Sequence, residues 1–132
     1  MNGINYENNR LLKEITNTFE LILLDYIKLK DIDFVEDFDN GYVEKMNLHY
    51  SMDEKLKVLT GLVNDFLNPR HGEVRVFLTD EYDFVVDKKH IFVEVDKFKI
   101  NVLKKCFEKV LFNYSLGGTC YVWHNHLICL PL

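Results

Sequence analysis

The first part of the chain carries apolar residues at intervals of three and four, the spacing that places side chains on one face of an α-helix. This pattern predicts a helix over about 8–30. We expect its apolar face to pack on the rest of the protein, because a helix buries such a face against a neighbouring element. The face consists of Leu11, Leu12, Ile15, Phe19, Ile22, Leu23, Tyr26 and Ile27.

A second helix is predicted to begin at Ser51. The sequence Ser51-Met52-Asp53-Glu54 matches the capping box, in which a serine hydroxyl and a glutamate three residues later satisfy backbone amides at a helix start. Apolar residues continue at helical spacing as far as Phe66. Asn68-Pro69 then predicts the end of the helix, because the residue before a proline disfavours the helical conformation.

Three runs of alternating apolar and polar residues follow, at 73–79, 83–87 and 90–95. Alternation is typical of half-buried strands, and the short loops between the runs favour an antiparallel meander with one apolar face. The same alignment places Phe77, Val85 and Phe92 in a row on the opposite face. An apolar row among charged residues predicts a protein-binding face, and the alternative is that the first helix covers it.

A third helix is predicted after Asp96, whose side chain can cap it. Its apolar stripe extends from Leu103 to Tyr114, and the Ser-Leu-Gly-Gly sequence at 115–118 predicts its end. The lysines between 97 and 109 lie largely on other sides of this helix, and we interpret them as a solvated face.

The last segment, 119–132, predicts two strands joined by a turn at His124-Asn125. This turn aligns Cys120 with Cys129. Because the segment contains no Asp, Glu, Lys or Arg, both strands are predicted to be covered on both faces.

The predicted order of elements is α, acidic loop or hairpin, α, β, β, β, α, β, β. This order predicts the α+β class, with helices packed on one antiparallel sheet. A length of 132 residues suits a single domain over 1–132. We divide it into an N-terminal helix at about 8–30, an acidic loop at 31–44 and an α+β core at about 51–132.

Negative charge is concentrated between the first two predicted helices. The segment 31–44 contains six carboxylates and no Lys or Arg, whereas the whole chain has a formal charge of −5. Its Asn40-Gly41 pair favours a tight turn, so we predict an exposed hairpin or ordered loop. The carboxylates are Asp31, Asp33, Glu36, Asp37, Asp39 and Glu44.

Charge of this sign selects among partners. It attracts cationic proteins and repels nucleic acid and anionic membranes. We therefore predict a docking surface for a basic protein, with no nucleic-acid partner and no membrane partner. The alternative is a solvated loop that improves solubility.

Two segments contain residue types that bind metals. Asp37-Phe38-Asp39-Asn40-Gly41 begins like a calcium loop, but its glycine is one position early and its twelfth position is not glutamate. The C-terminal hairpin has two cysteines and two histidines without the usual zinc-site spacing. These are Cys120, His124, His126 and Cys129. We predict no metal and no cofactor, and the alternative is a small metal or Cys–His enzyme that uses this hairpin.

The sequence contains no motif that indicates an enzyme, and we predict no catalytic residues. Phosphate-binding loops, dinucleotide fingerprints, serine-hydrolase elbows and zinc-protease signatures are absent. The three cysteines, Cys106, Cys120 and Cys129, are an odd number without framework spacing, as in proteins with reduced thiols. The N-terminus lacks the basic and apolar segments of a signal peptide, so we expect a cytoplasmic protein.

The small size, the acidic charge and the absence of catalytic motifs resemble those of bacterial immunity proteins. That resemblance implies a non-enzymatic inhibitor that neutralises a cognate toxin or effector by docking on its basic site. The order α-β-β-β-α-β-β over Met52–Leu132 also resembles class I type III secretion chaperones, although this chain has an extra N-terminal helix and lacks their final helix. A further alternative is an oligomeric binding module, such as a homodimer, that pairs through Phe77, Val85 and Phe92.

Overall fold

The computed structural model describes residues 2–31, 38–79, 94–123 and 125–131. In this part of the chain, three helices and three strands follow in the order α1 (Asn2–Asp31), α2 (Phe38–Leu67), β1 (Arg75–Leu78), α3 (Lys97–Asn113), β2 (Gly118–Trp123) and β3 (His126–Pro131). The predicted α+β class is confirmed. None of the described helices has both the length and the apolar character needed to cross a bilayer.

The predicted first helix is confirmed, and it begins earlier than expected, at Asn2. Its buried face is the one that the periodicity defines, with Ile15, Phe19 and Ile22 completely buried. That face packs against both α2 and α3. The ring centroids of Phe19 and Phe107 are 4.5 Å apart, so an aromatic contact joins the first and third helices.

The second helix differs from the prediction at its start. It begins at Phe38 rather than Ser51, so the hairpin turn predicted at Asn40-Gly41 and the capping box are both wrong. Asn and Gly have low helix propensity, but each costs no more than about 1 kcal/mol, which the packing of a long helix can offset. The helix ends at Leu67, as predicted, and Asn68 follows with a positive φ of 47°.

Packing against α1 explains why the local signals near the start of α2 are overridden. The Ser51 hydroxyl donates to Oδ2 of Asp25 in α1 at 3.2 Å instead of capping a helix. Lys55 donates to the same oxygen at 2.7 Å. Leu59 and Val63 are completely buried further along the helix. A continuous α2 therefore keeps its contact with α1 where a hairpin would interrupt it.

Strand β1 is joined to α2 through one asparagine. The Asn64 side-chain amide donates to the Val74 carbonyl at 2.7 Å, and its oxygen accepts from the Val74 backbone N–H at 2.8 Å. The strand confirms the run predicted at 73–79, and its side chains alternate between exposed and buried. Of the other two predicted strands, 83–87 lies outside the described residues, and 90–95 is described only from 94 onward.

The sheet is mixed rather than antiparallel, which corrects the predicted arrangement. Among the described strands the order is β1-β3-β2, with β3 parallel to β1 and antiparallel to β2. A parallel pair needs a crossover connection, and α3 lies between β1 and β3 along the chain. The alternation that predicts a meander carries no information about this long-range pairing.

The predicted third helix and C-terminal hairpin are confirmed. Asp96 caps α3 by accepting a hydrogen bond from the Phe98 N–H at 2.9 Å. The hairpin has the predicted register, with Cys120 opposite Cys129. Every residue of β3 is buried, as predicted, whereas Thr119 of β2 is exposed, so of these two strands only β3 is covered on both faces. The buried residues of α3 are Ile100, Leu103, Phe107, Val110 and Leu111.

Candidate functional site

The structure describes some of the predicted site residues. Asp31 is exposed at the end of α1, Glu44 is exposed in α2, and Phe77 in β1 is 37% exposed. Asp39 lies in the first turn of α2, so the predicted acidic loop of 31–44 is helical from 38 onward. Outside the described residues lie Asp33, Glu36, Asp37, Val85 and Phe92.

An exposed apolar stripe runs along the first half of α2. Val43, Met46 and Tyr50 are spaced by three and four residues, so they share one side of the helix. All three are more than half exposed, and Tyr50 is 69% exposed. Tyrosine and methionine are enriched at protein interfaces, whereas a helix side that meets only water is normally polar. The stripe is therefore a candidate for contact with another protein.

Carboxylates border this stripe. Asp53 and Glu54 continue it by one turn, and exposed Glu44 lies at the edge of α2 that faces α1, where Lys28 and Asp31 line the same cavity. Lys57 is beside them, with its Nζ 3.8 Å from Oε1 of Glu54, and both partners are solvent-exposed, so the ion pair adds little to stability. Three acids and one base give a net charge of −2. We name the whole set the α2 outer face: Val43, Glu44, Met46, Tyr50, Asp53, Glu54 and Lys57.

A groove between α2 and β1 adjoins the α2 outer face. It has a volume of about 630 Å³, with Tyr50 on its helix side and Phe77 on its strand side. We call it the α2–β1 groove. Two aromatic side chains and several charged ones therefore converge on one concave surface. The charged residues that line it are Asp53, Glu54, Lys57, Glu73 and Arg75.

Phe77 connects the predicted apolar row to this groove. Its ring stacks on the ring of His126 in β3, with centroids 5.3 Å apart and an angle of 26° between the planes. In the groove the helix beside Phe77 is α2 rather than α1, so the alternative in which the first helix covers the row does not hold for this residue. The row itself stays a prediction, because 85 and 92 lie outside the described residues.

A second cavity near the acidic region has a basic lining. It has a volume of about 420 Å³ and lies where the end of α1 and the middle of α2 meet the end of β1. Lys30, Lys45 and His49 line it, together with apolar residues that include Leu29 and Met52. The side chains on the surface of α2 therefore differ in charge around the helix axis.

The C-terminal hairpin brings together two of the residues weighed as metal ligands. The Cys120 thiol donates to the Cys129 sulfur at 3.1 Å, and both are buried. Within the described part of the chain, His, Cys, Asp and Glu form no group of three or more that could hold a metal ion. His124 lies outside that part, so the absence of a metal stays a prediction.

Burial makes two of the described thiols, those of Cys106 and Cys129, poor nucleophiles. It raises the pKa of Cys129 well above the usual thiol value, because water cannot solvate an ionised sulfur in the core. Burial raises the pKa of Cys106 as well. A catalytic cysteine needs a lowered pKa, so neither thiol is arranged as an activated nucleophile.

The stripe on α2 is a candidate functional feature that the sequence analysis did not predict. Placing Val43 in a loop and Ser51 at a helix start hides the continuity of the helix between them. The stripe could have been predicted from the helical spacing of Val43, Met46 and Tyr50, which continues to Asp53.

Comparison with protein-family models, curated proteins and solved structures finds no match for the chain. The function is therefore argued from the surfaces of the molecule. Among the described residues, the α2 outer face and the adjoining α2–β1 groove combine exposed aromatic side chains with carboxylates.

Proposed function

We propose that the chain is a non-enzymatic, immunity-type inhibitor that neutralises a protein toxin or effector by binding its basic site. The observation that carries the proposal is the α2 outer face, where exposed Val43, Met46 and Tyr50 are bordered by carboxylates. An apolar centre with a charged rim is the usual anatomy of a protein interface. The negative sign of the rim selects a basic partner.

The apolar stripe supplies the part of the affinity that does not depend on salt. Tyr50 is the main anchor, because tyrosine offers a large ring with few rotatable bonds and is enriched among interface hot spots. Met46 beside it is flexible and adapts to an irregular surface. Burial of both removes apolar area from water, which stabilises a complex by about 25 cal/mol per Å² before the costs of association are subtracted.

The carboxylates supply attraction at longer range. Glu44, Asp53 and Glu54 are exposed, so their field reaches into solvent over a screening length of about 8 Å at physiological salt. Carboxylates accept hydrogen bonds from Lys and Arg as phosphates do. An acidic face can therefore occupy a basic site that normally binds phosphates, as in a nuclease.

The α2–β1 groove fits an arginine from the partner. Tyr50 and Phe77 offer aromatic rings to a planar guanidinium, and the acids of the groove offer carboxylate acceptors. Three acids and two bases line the groove, which gives it a net charge of −1. A single additional cation neutralises it.

The helix that carries the α2 outer face packs against the body of the protein. On the side of the helix that faces α1, Lys55 pairs with the buried carboxylate of Asp25 at 2.7 Å. Leu59 and Val63 anchor the same side in the core. A partner therefore meets a preformed surface, and association loses little free energy to ordering of the helix.

Co-expression with candidate toxins tests the proposal. The candidates are basic proteins encoded next to the gene for this chain, because an immunity protein acts on a cognate toxin. We expect the chain to restore growth of cells that express one of them. We also expect it to bind the purified toxin with an affinity that falls as salt rises. If none of the candidates is neutralised or bound, the proposal is wrong.

Tyr50→Ala and Phe112→Ala form a matched pair for the binding assay. Each removes an exposed aromatic side chain from a helix, one on α2 and one on α3. We expect Tyr50→Ala to weaken toxin binding about tenfold or more, which corresponds to about 1.4 kcal/mol. Phe112→Ala should bind as the wild type does. Equal binding by the two variants would place the interface elsewhere.

A further inference from the structure

Strands β2 and β3 place two cysteines directly opposite each other. Cys120 pairs with Cys129 in the antiparallel register, and the Cys120 thiol donates to the Cys129 sulfur at 3.1 Å. Both cysteines are free and buried. Opposing residues on antiparallel strands have Cα atoms about 4.5–5.5 Å apart, a separation that a disulfide can span.

Cys120 and Cys129 occupy the type of antiparallel position in which opposing side chains lie closest to each other. The Cys120 backbone N–H donates to Oε1 of Glu108 in α3 at 3.3 Å, so it is not used in the ladder with β3. A residue whose N–H does not bond to the opposite strand belongs to a non-hydrogen-bonded pair, in which the two side chains lie nearer each other. The backbone therefore supports the short distance between the sulfur atoms.

The third cysteine is separate from this pair. Cys106 lies in α3 and is partly buried. Its side chain forms a hydrogen bond with Thr16 of α1, so it is directed toward that helix rather than toward the hairpin. Cys106 therefore serves as an internal control, with the same thiol chemistry but a different neighbour.

We propose that Cys120 and Cys129 are a redox pair that forms an intrachain disulfide between β2 and β3. With glutathione disulfide as the oxidant, one cysteine thiolate attacks a glutathione sulfur, forms a mixed disulfide and releases one glutathione. The second cysteine thiolate then attacks the protein sulfur of the mixed disulfide and releases the other glutathione. The protein loses two protons and two electrons, and glutathione disulfide gains them as two thiols.

Burial controls the rate of this reaction. The core raises the pKa of Cys129 well above the usual thiol value, so the closed hairpin disfavours the reactive thiolate. Glutathione disulfide also needs access to a sulfur atom that is covered in the closed hairpin. We therefore expect slow oxidation, which becomes faster in urea at concentrations below the unfolding transition.

The disulfide gives the chain two chemical states. In an oxidising compartment it links β3 to β2 and restricts the unfolded chain, which raises stability. In a reducing compartment the same residues stay as two thiols. The expectation of three reduced thiols from the sequence thus applies to one of these two states.

Equilibration of the full chain with mixtures of reduced and oxidised glutathione tests the proposal. Samples are quenched with acid, alkylated, digested and analysed by mass spectrometry, with and without urea below the transition. We expect a peptide pair that joins Cys120 to Cys129, with Cys106 alkylated, and a higher melting temperature for the oxidised protein. Free thiols at 120 and 129 in the most oxidising mixture with urea would overturn the proposal, as would a disulfide that includes Cys106.

Single substitutions separate the pair from general effects of oxidation. Cys106→Ala keeps both partners, so it should form the same disulfide and show the same rise in melting temperature. Cys120→Ala removes one partner, so glutathione disulfide should no longer raise its melting temperature, and a rise equal to that of the wild type would contradict the proposal. If Cys120→Ala does not fold, the peptide maps of the wild type and of Cys106→Ala show whether the disulfide between Cys120 and Cys129 forms.

Discussion

Two helices present exposed aromatic side chains to solvent, and the charges around these side chains have opposite sign. On the α2 outer face, Tyr50 lies among carboxylates. On α3, Phe98 and Phe112 are 75% and 78% exposed, and exposed Lys105 and Lys109 lie between them at helical spacing. We call these four residues the α3 outer face.

This difference shows that exposed apolar area alone does not select a partner. Both faces offer aromatic rings, but a basic protein is attracted to the α2 outer face and repelled by the α3 outer face. If the chain binds a basic protein as proposed, this contrast favours the approach of that protein to the α2 side.

The largest change in the free energy of unfolding is expected when a buried side chain of α3 is compared with an exposed one on the same helix. Phe107 is completely buried and Phe112 is 78% exposed on the same helix. We expect Phe107→Ala to lower the free energy of unfolding by about 3–5 kcal/mol, through lost burial and a cavity. Phe112→Ala should change it by no more than about 0.5 kcal/mol. Urea unfolding of both variants measures the difference, and equal losses would show that the α3 outer face is part of the core.

A smaller loss of stability is expected when the hydrogen bonds that join α2 to β1, beside the groove, are removed. Asn64→Ala removes both hydrogen bonds to the Val74 backbone, and we expect a loss of about 1–3 kcal/mol. Asn47→Ala is the matched control, because Asn47 is exposed on the same helix. Urea unfolding measures both variants. If Asn64→Ala is as stable as Asn47→Ala, the asparagine does not join the groove walls.

Local signals predict the parts of the fold that local interactions decide. The apolar spacing locates α1, the carboxylate of Asp96 locates the start of α3, and the His124-Asn125 turn gives the register of the C-terminal hairpin. The start of α2 could not be predicted this way. There, contact with Asp25 of α1 outweighs the cap at Ser51.

Long-range contacts decide the rest of the fold and most of the candidate site. The parallel pairing of β1 with β3 joins strands that are far apart in sequence, so alternation alone cannot reveal it. The acidic run of 31–44 overlaps only the start of α2, from 38 onward. The apolar anchors at Met46 and Tyr50 became visible only with the continuous helix.

Neutralising each outer face in turn tests the central claim most directly. The first variant combines Glu44→Gln, Asp53→Asn and Glu54→Gln, and the second combines Lys105→Gln and Lys109→Gln. The measurement is the association rate constant at low salt with the toxin identified by co-expression. We predict that the acid variant associates roughly tenfold more slowly with little change in dissociation, and that the lysine variant associates as fast as the wild type or faster. Equal association by the wild type and the acid variant would contradict the account.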